Sequence, residues 1–296
     1  MTSKILPNFI VCGAHKGGST SLCNYLLQHP SVFISKKKEP NFFLYDSGED
    51  IDREKTNDVV TLEQYHYWFR NATHFKAIGE GSVGYLSDEK APYRIREIVP
   101  DVKLIMILRH PVERAYSHYL FNQRLDAEAA SEFLTAFQND RTRKKSHHKY
   151  FERGLYHHYL KHYYEVFPKD RIKIYLFDDF KKNPQAVVRD VFKFLGVAEE
   201  FEADVRAKDA VSGVPRNKAI YDFIHGDNQL RKLLRPIFRL FLSPQQRRLL
   251  WTKAIEASLK KPGLDREVKQ MLQEEYRSDI LQLQDLIEQD LSHWLA

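Results

Sequence analysis

Apolar positions in this chain come in short unbroken runs, and between the runs they recur at helical spacing. Phe9-Ile10-Val11-Cys12 is the first run, Val102 to Leu108 is the strongest, and Arg171 to Phe177 is the last. Shorter extended stretches lie within Ser31 to Phe43 and Lys76 to Leu86. Continuous apolar runs suit strands buried on both faces of a parallel sheet. Helical spacing follows at Leu22, Tyr25 and Leu26, at about Leu62 to Phe69, at Val112 to Phe121, at Gly154 to Phe167 and at Pro184 to Leu195. Strands alternating with helices predict an α/β fold of three layers, a central parallel sheet flanked by helices. After Gly196 strand signals cease. Val268, Met271, Leu272, Tyr276, Ile280, Leu283, Leu286 and Ile287 form one apolar stripe, which predicts a packed helix in a helical C-terminal region. We expect a single domain over 1–296, with an α/β core over 5–195 and a helical part over 196–296.

The first run leads into Gly13-Ala14-His15-Lys16-Gly17-Gly18-Ser19-Thr20-Ser21. Strand, glycine turn and helix in that order make a P-loop-like anion site, with helix N–H groups, the positive dipole end and Lys16 around one point. Ser19, Thr20 and Ser21 can cap the helix. The nucleotide triphosphatase signature G-x-x-x-x-G-K-[ST] is not met, because Lys16 precedes the pair Gly17-Gly18. A lysine on the strand side reaches the distal end of a short phosphate chain. A glycine turn without a ligand is the plainer alternative.

Three other places carry candidate chemistry. Pro40 disfavours helix at Glu39 and leaves that carboxylate on a loop beside Lys36, Lys37 and Lys38, where it can act as a general base or simply as a solvated ion pair. Arg109 follows the strongest strand and Ser117 lies two turns into the next helix, a pairing suited to a second phosphate, with an ion pair to Glu113 as the alternative. Arg216 sits on the loop Val211 to Lys218 and could close over a bound nucleotide. Glu80 and Ser82 fall at a strand end, the edge where α/β proteins hold ligands. Asp46 to Asp58 reads as a surface loop bordering an acceptor. The basic stretch Asn139 to Lys149 interrupts the periodicity and reads as a mobile loop. Without interleaved aromatics it is a solvated face rather than a nucleic-acid patch. His157, His158 and His162 lack the glutamate of a zinc signature, so no metal is expected.

Composition adds limits. The 296 residues carry 46 Lys and Arg against 40 Asp and Glu, an excess that suits an anionic ligand without requiring nucleic acid. Two cysteines, Cys12 and Cys23, are too few for a disulfide framework and fit a reducing, cytoplasmic setting. No apolar run approaches the ~18 residues of a membrane span, and Phe9 to Cys12 is too short for a signal sequence.

Taken together these motifs resemble the sulfotransferases that use 3′-phosphoadenosine 5′-phosphosulfate (PAPS). Gly13 to Ser21 is similar to that family's 5′-phosphosulfate loop, and Leu108-Arg-His-Pro-Val-Glu-Arg-Ala-Tyr-Ser117 to its 3′-phosphate motif. Lys38-Glu-Pro-Asn-Phe-Phe43 resembles the catalytic-glutamate loop of the heparan-type and bacterial small-molecule branch. Gly154-Leu-Tyr, Phe194-Leu-Gly and Asp290-Leu-Ser-His-Trp extend the resemblance over Leu6 to Trp294. It implies in-line transfer of a sulfuryl group from PAPS to a hydroxyl or amine, leaving 3′,5′-bisphosphoadenosine (PAP), with no metal. It assigns Lys16, Gly17, Gly18, Ser19, Thr20 and Ser21 to the 5′-phosphosulfate, Arg109, Ser117 and Arg216 to the 3′-phosphate, and Glu39 with Lys16 to catalysis. Asn41 stands where many relatives have histidine, and Gly81 where some heparan-type enzymes have lysine. Both departures favour a small-molecule or natural-product acceptor over a saccharide. An ATP-dependent kinase and a non-catalytic nucleotide or polyanion binder are the rival readings.

Overall fold

The computed structural model describes residues 5–46, 56–142, 148–206, 213–217, 257–260 and 262–296. The apolar runs become strands β1 (Phe9–Gly13), β2 (Val32–Ile34), β3 (Ala77–Gly81), β4 (Lys103–Leu108) and β5 (Ile172–Leu176). They form one sheet in the order β2-β3-β1-β4-β5, every neighbouring pair parallel, with Phe9 aligned to Gly79 on one side and to Lys103 on the other. The helices are α1 (Ser19–Leu26), α2 (Leu62–Tyr67), α3 (Ala91–Ile98), α4 (Pro111–Arg124), α5 (Phe133–Thr142), α6 (Tyr156–Val166), α7 (Phe177–Lys182), α8 (Pro184–Leu195) and α9 (Arg266–Ile287).

Alternation of side chains along a strand divides the core in two. Ile10, Cys12, Leu104 and Met106 point into a cluster covered by α3, α4, α6 and α9, while Phe9, Val11, Ile105 and Ile107 point into one covered by α1 and α8. The expected three-layer α/β fold is therefore present. Helix ends follow local chemistry. Asn183 caps α8 by accepting from the Ala186 N–H at 3.1 Å, with Pro184 in the first turn, and Asp265 caps α9 by accepting from Glu267 and Val268.

Several local expectations change. Strand structure does not end at Gly196, since β6 (Val214–Pro215) pairs antiparallel with β7 (Leu259–Lys260). A two-residue pairing has no alternation to read, and its partner is remote in sequence. Asn139 to Thr142 complete α5 rather than belonging to a loop, while 143–147 lie outside the described residues. Burial of Phe133, Ala136 and Phe137 explains the helix. Met271 leaves the apolar stripe of α9, being 46% exposed, whereas Leu272, Tyr276, Ile280 and Leu283 are buried.

The position opposite Phe9 admits only glycine. A Cβ on Gly79 would lie 2.3 Å from the end of the Phe9 ring, which is itself fully enclosed. Gly79→Ala is expected to destabilise the chain by about 1–3 kcal/mol through overpacking, read as a lower urea midpoint at unchanged slope.

Candidate active site

Beyond β1 the chain is drawn back against β4. Ala14 N–H donates to Ile107 O at 2.9 Å and Gly17 N–H to Ala14 O at 2.9 Å. A Cβ on Gly17 would stand 2.3 Å from Ile107 O, so this turn depends on glycine. Gly18 is left-handed (φ 100°) and occupies the position before α1, with no side-chain cap. Ser19, Thr20 and Ser21 therefore form the first turn of the helix instead of capping it. Backbone N–H groups of a first turn have no acceptor within their own helix, and a bound anion can supply one.

Lys16 (φ 62°) holds its Nζ 4.2 Å from the Phe121 ring centroid. Burial, then the charges of Arg124, Arg109 and Lys38, bring its ammonium down to about 8, with Glu39 acting in the opposite direction. Arg109, 6% exposed, stands at the end of β4, donates weakly to Lys16 O (3.4 Å) and lies 4.7 Å over the Phe177 ring. It does pair with Glu113, at 3.4 Å, yet its Nε is enclosed without an acceptor. Ser117 is fully buried on α4. Arg216 is exposed, and its N–H and Nε donate to Ser258 O (2.8 Å) and Leu259 O (3.1 Å). The strand just before it, β6, packs against α4, but among the described residues the polar contacts of Arg216 are not with Arg109 or Ser117. Lys218 lies outside the described residues.

Glu39 (φ 49°) and Asn41 (φ 56°) are both left-handed around Pro40. The turn is tied down from outside. Val59 N–H donates to Pro40 O (2.8 Å), Asn41 N–H to Ser82 Oγ (3.1 Å) and Asn41 Nδ2 to Asp58 Oδ1 (2.9 Å). Burial raises the Glu39 carboxyl above its ordinary value, while Lys38, Arg153 and Lys16 restrain it.

Glu80 does not stand at a ligand edge. It is fully buried one layer below, accepting from Ser82 Oγ (2.7 Å), Tyr85 OH (2.9 Å) and Tyr65 OH (3.1 Å). Burial pushes it up to about 7 despite these donors. Through Ser82 it supports the turn that carries Glu39. Two of the histidines of α6 are engaged elsewhere, His158 with Glu89 (2.7 Å) and His162 with Glu165 (3.3 Å). No group of His, Cys, Asp and Glu suited to a metal occurs among the described residues.

Lys16, Arg109, Lys38 and Glu39 thus share one electrostatic neighbourhood. Arg124 and Arg153 belong to it as well. Neither sits in a motif, and no spacing in the sequence singles them out.

A parallel five-stranded sheet flanked by helices, with a glycine loop after β1 and an arginine after β4, defines an α/β fold of the P-loop-like class. The chain belongs to the PAPS-dependent sulfotransferase family, residues 6–211 matching the Sulfotransferase domain. A solved sulfotransferase from Alicyclobacillus acidocaldarius superposes with a TM-score of 0.75 over 99% of this chain and 100% of that one, at 26% identity. Among curated relatives, the bifunctional heparan sulfate N-deacetylase/N-sulfotransferase 1 of Caenorhabditis briggsae is 28% identical over 221 residues, 69% of this chain and 24% of the relative. Carbohydrate sulfotransferase 15 of Mus musculus is 27% identical over 269 residues, 72% of this chain and 48% of the relative. The chain therefore spans about a quarter to a half of the length of these two relatives.

Gly17→Ala is expected to displace the loop from Ile107 O and abolish measurable PAP binding in calorimetry while leaving a cooperative thermal transition. Retention of wild-type PAP affinity would show that the loop does not form the anion site.

Proposed function

We propose that the chain transfers a sulfuryl group from PAPS to a hydroxyl or amine, with Glu39 as general base. The observation that carries it is the coexistence of a half-buried, raised carboxyl and a half-buried, lowered ammonium in one neighbourhood. The residues present fit the donor: among the described residues the Nε of Arg109 is enclosed without an acceptor. The 5′-phosphosulfate would lie against the N–H groups of Gly18, Ser19, Thr20 and Ser21 with Lys16 beside it. The 3′-phosphate would take Arg109 and Ser117, with Arg216 closing from the turn after β6.

Glu39 accepts the proton of the acceptor as the new bond to sulfur forms. Lys16 stabilises the negative charge left on the departing phosphate oxygen as the old sulfur–oxygen bond breaks. Positioning and charge stabilisation carry the reaction, as in phosphoryl transfer. Asn41 and Gly81 favour a small-molecule or natural-product acceptor. A saccharide acceptor is the second reading, supported by the similarity to the heparan sulfate and carbohydrate sulfotransferases. Cytoplasmic residence belongs to the first reading and is supported by the free thiols of Cys12 and Cys23. No helix among the described residues is long and apolar enough to cross a membrane.

PAP is expected to raise the melting temperature, whereas ATP with magnesium leaves it unchanged; the reverse would favour a kinase. With PAPS and an acceptor panel of phenols, hydroxylated natural products and glycosaminoglycan oligosaccharides, Glu39→Gln should lose about 10²–10⁴-fold in kcat while keeping PAP affinity. Near-full turnover by that variant would remove Glu39 as the base.

The two pKa shifts give a bell-shaped kcat/KM. Its acid limb lies above the ordinary carboxylate range, because Glu39 must be ionised. Its basic limb lies near 8, where Lys16 of the free enzyme loses its charge as pH rises. Lys16→Arg should move the basic limb upward, since a guanidinium stays charged there.

A further inference from the structure

Among the described residues, Arg153 is an arginine without a side-chain partner. It lies in the 3-10 turn Glu152–Gly154, whose direction is fixed by its surroundings. A Cβ on Gly154 would meet the Tyr276 ring at 2.8 Å, and the Tyr276 hydroxyl donates to the carbonyls of Tyr150 (3.2 Å) and Phe151 (3.1 Å). Arg114, fully buried on α4, donates to Tyr150 O as well. Among the described residues the Arg153 side chain makes no hydrogen bond or ion pair, and its Nε is enclosed without an acceptor.

The surroundings supply more positive charge, not less. Arg114 acts on Arg153 most strongly after burial itself, and together these lower its guanidinium to about 10. His15 stacks on His118 at 5.7 Å, and both rings lie within reach of the charges of Arg153, Arg114 and Lys16. Burial and those charges hold both imidazoles well below their ordinary value, so they are neutral and able to donate one hydrogen bond each. His118 Nδ1 is enclosed without a partner. Of the carboxylates that act on Arg153, Asp140 is already taken by the N–H groups of Lys149 (3.1 Å) and Tyr150 (2.6 Å). The other is Glu39.

Withdrawing a guanidinium from water without a counterion is costly, and the cost falls when an anion arrives. The two phosphate groups of the donor have other receptors. The charges acting most strongly on Lys16 are Arg124, Arg109 and Lys38, whereas those acting on Arg153 are Arg114, Asp140 and Glu39. Glu39 acts on both, and Arg153 is in turn one of the two strongest charges on Glu39, so the arginine stands within reach of the proposed base, where the acceptor must approach.

We propose that Arg153, backed by Arg114 and the His15–His118 stack, receives a carboxylate or sulfate carried by the acceptor, so that the acceptor is itself an anion. The proposal rests on the sulfuryl-transfer reading. The planar guanidinium fork matches either oxyanion, and binding it there would set the acceptor nucleophile at a fixed distance from Glu39.

The test uses the full chain saturated with PAP, which fills the donor sites. Sulfate is titrated against chloride at equal ionic strength, and 4-hydroxybenzoate against the neutral 4-hydroxybenzamide, by thermal shift and calorimetry. Wild type should be stabilised saturably by sulfate and by the acid but not by chloride or the amide. Arg153→Gln should bind both anions at least about tenfold more weakly while its PAP affinity stays within about twofold, and Arg153→Lys should recover part of the loss. Ligand-free Arg153→Gln should melt no lower than wild type, because it loses an uncompensated charge and no bond. A wild type indifferent to all four probes overturns the proposal. So does a tenfold loss of PAP affinity in Arg153→Gln, which would place the arginine in the donor site. A sharp fall in the variant's melting temperature would mark a structural role instead. Failure of wild type to bind PAP is a separate result that removes the sulfuryl-transfer reading, and this proposal with it.

Discussion

Cationic groups gathered at the carboxyl ends of β1 and β4 outnumber the carboxylates beside them, and much of the structure is arranged around that imbalance. Lys16, Arg109, Arg124, Arg114 and Arg153 are all drawn partly or wholly out of water near one loop. Glu113 answers Arg109 from a half-exposed position, and Glu39 answers the group at large. A fold tolerates such a deficit only where it holds the cations in place by other means. Here those means are backbone carbonyls, as between Arg114 and Tyr150, and aromatic faces, as between Lys16 and Phe121 and between Arg109 and Phe177. The result is a site whose cations are held in place without matching carboxylates, which suits the anionic donor proposed for it.

Two acidic groups, Glu39 and Glu80, are sorted by depth. Glu80 is enclosed by three hydroxyl donors and serves as an anchor, and Glu39 sits above it on a turn whose left-handed residues are fixed through Ser82, Asp58 and Val59. Because Glu39 and Glu80 also repel one another, ionising one makes ionising the other harder. Burial raises both, but only Glu39 stands where the charges of Lys38, Arg153 and Lys16 restrain its rise. Two carboxyl groups close together thereby acquire different tasks from their environment alone.

Membership of the sulfotransferase family explains why a glycine loop with a displaced lysine occurs on this sheet, and it leaves the acceptor open. Similarity to heparan sulfate and carbohydrate enzymes covers about seven-tenths of this chain. The loops that shape acceptor sites are the least transferable part of any fold. The anionic acceptor proposed here rests on an arginine that has no side-chain partner among the described residues.

The amino-acid sequence by itself determined the layered α/β architecture, because a buried parallel strand needs an unbroken apolar run and leaves a direct trace, as Val102 to Leu108 does. It also determined the loop, since Gly17 and Gly18 meet local backbone demands that only glycine satisfies easily. Tertiary structure alone decided what depended on neighbours distant along the chain. Ser19, Thr20 and Ser21 look like caps locally, yet Gly18 takes that position. Glu80 looks like a ligand-edge residue, yet Tyr65 and Tyr85 fold over it. Pairing of β6 with β7 and the gathering of Arg114, Arg124 and Arg153 beside Lys16 leave no periodic mark, because a charge acts through space and the helices and turns that carry these arginines meet the loop only when the core closes.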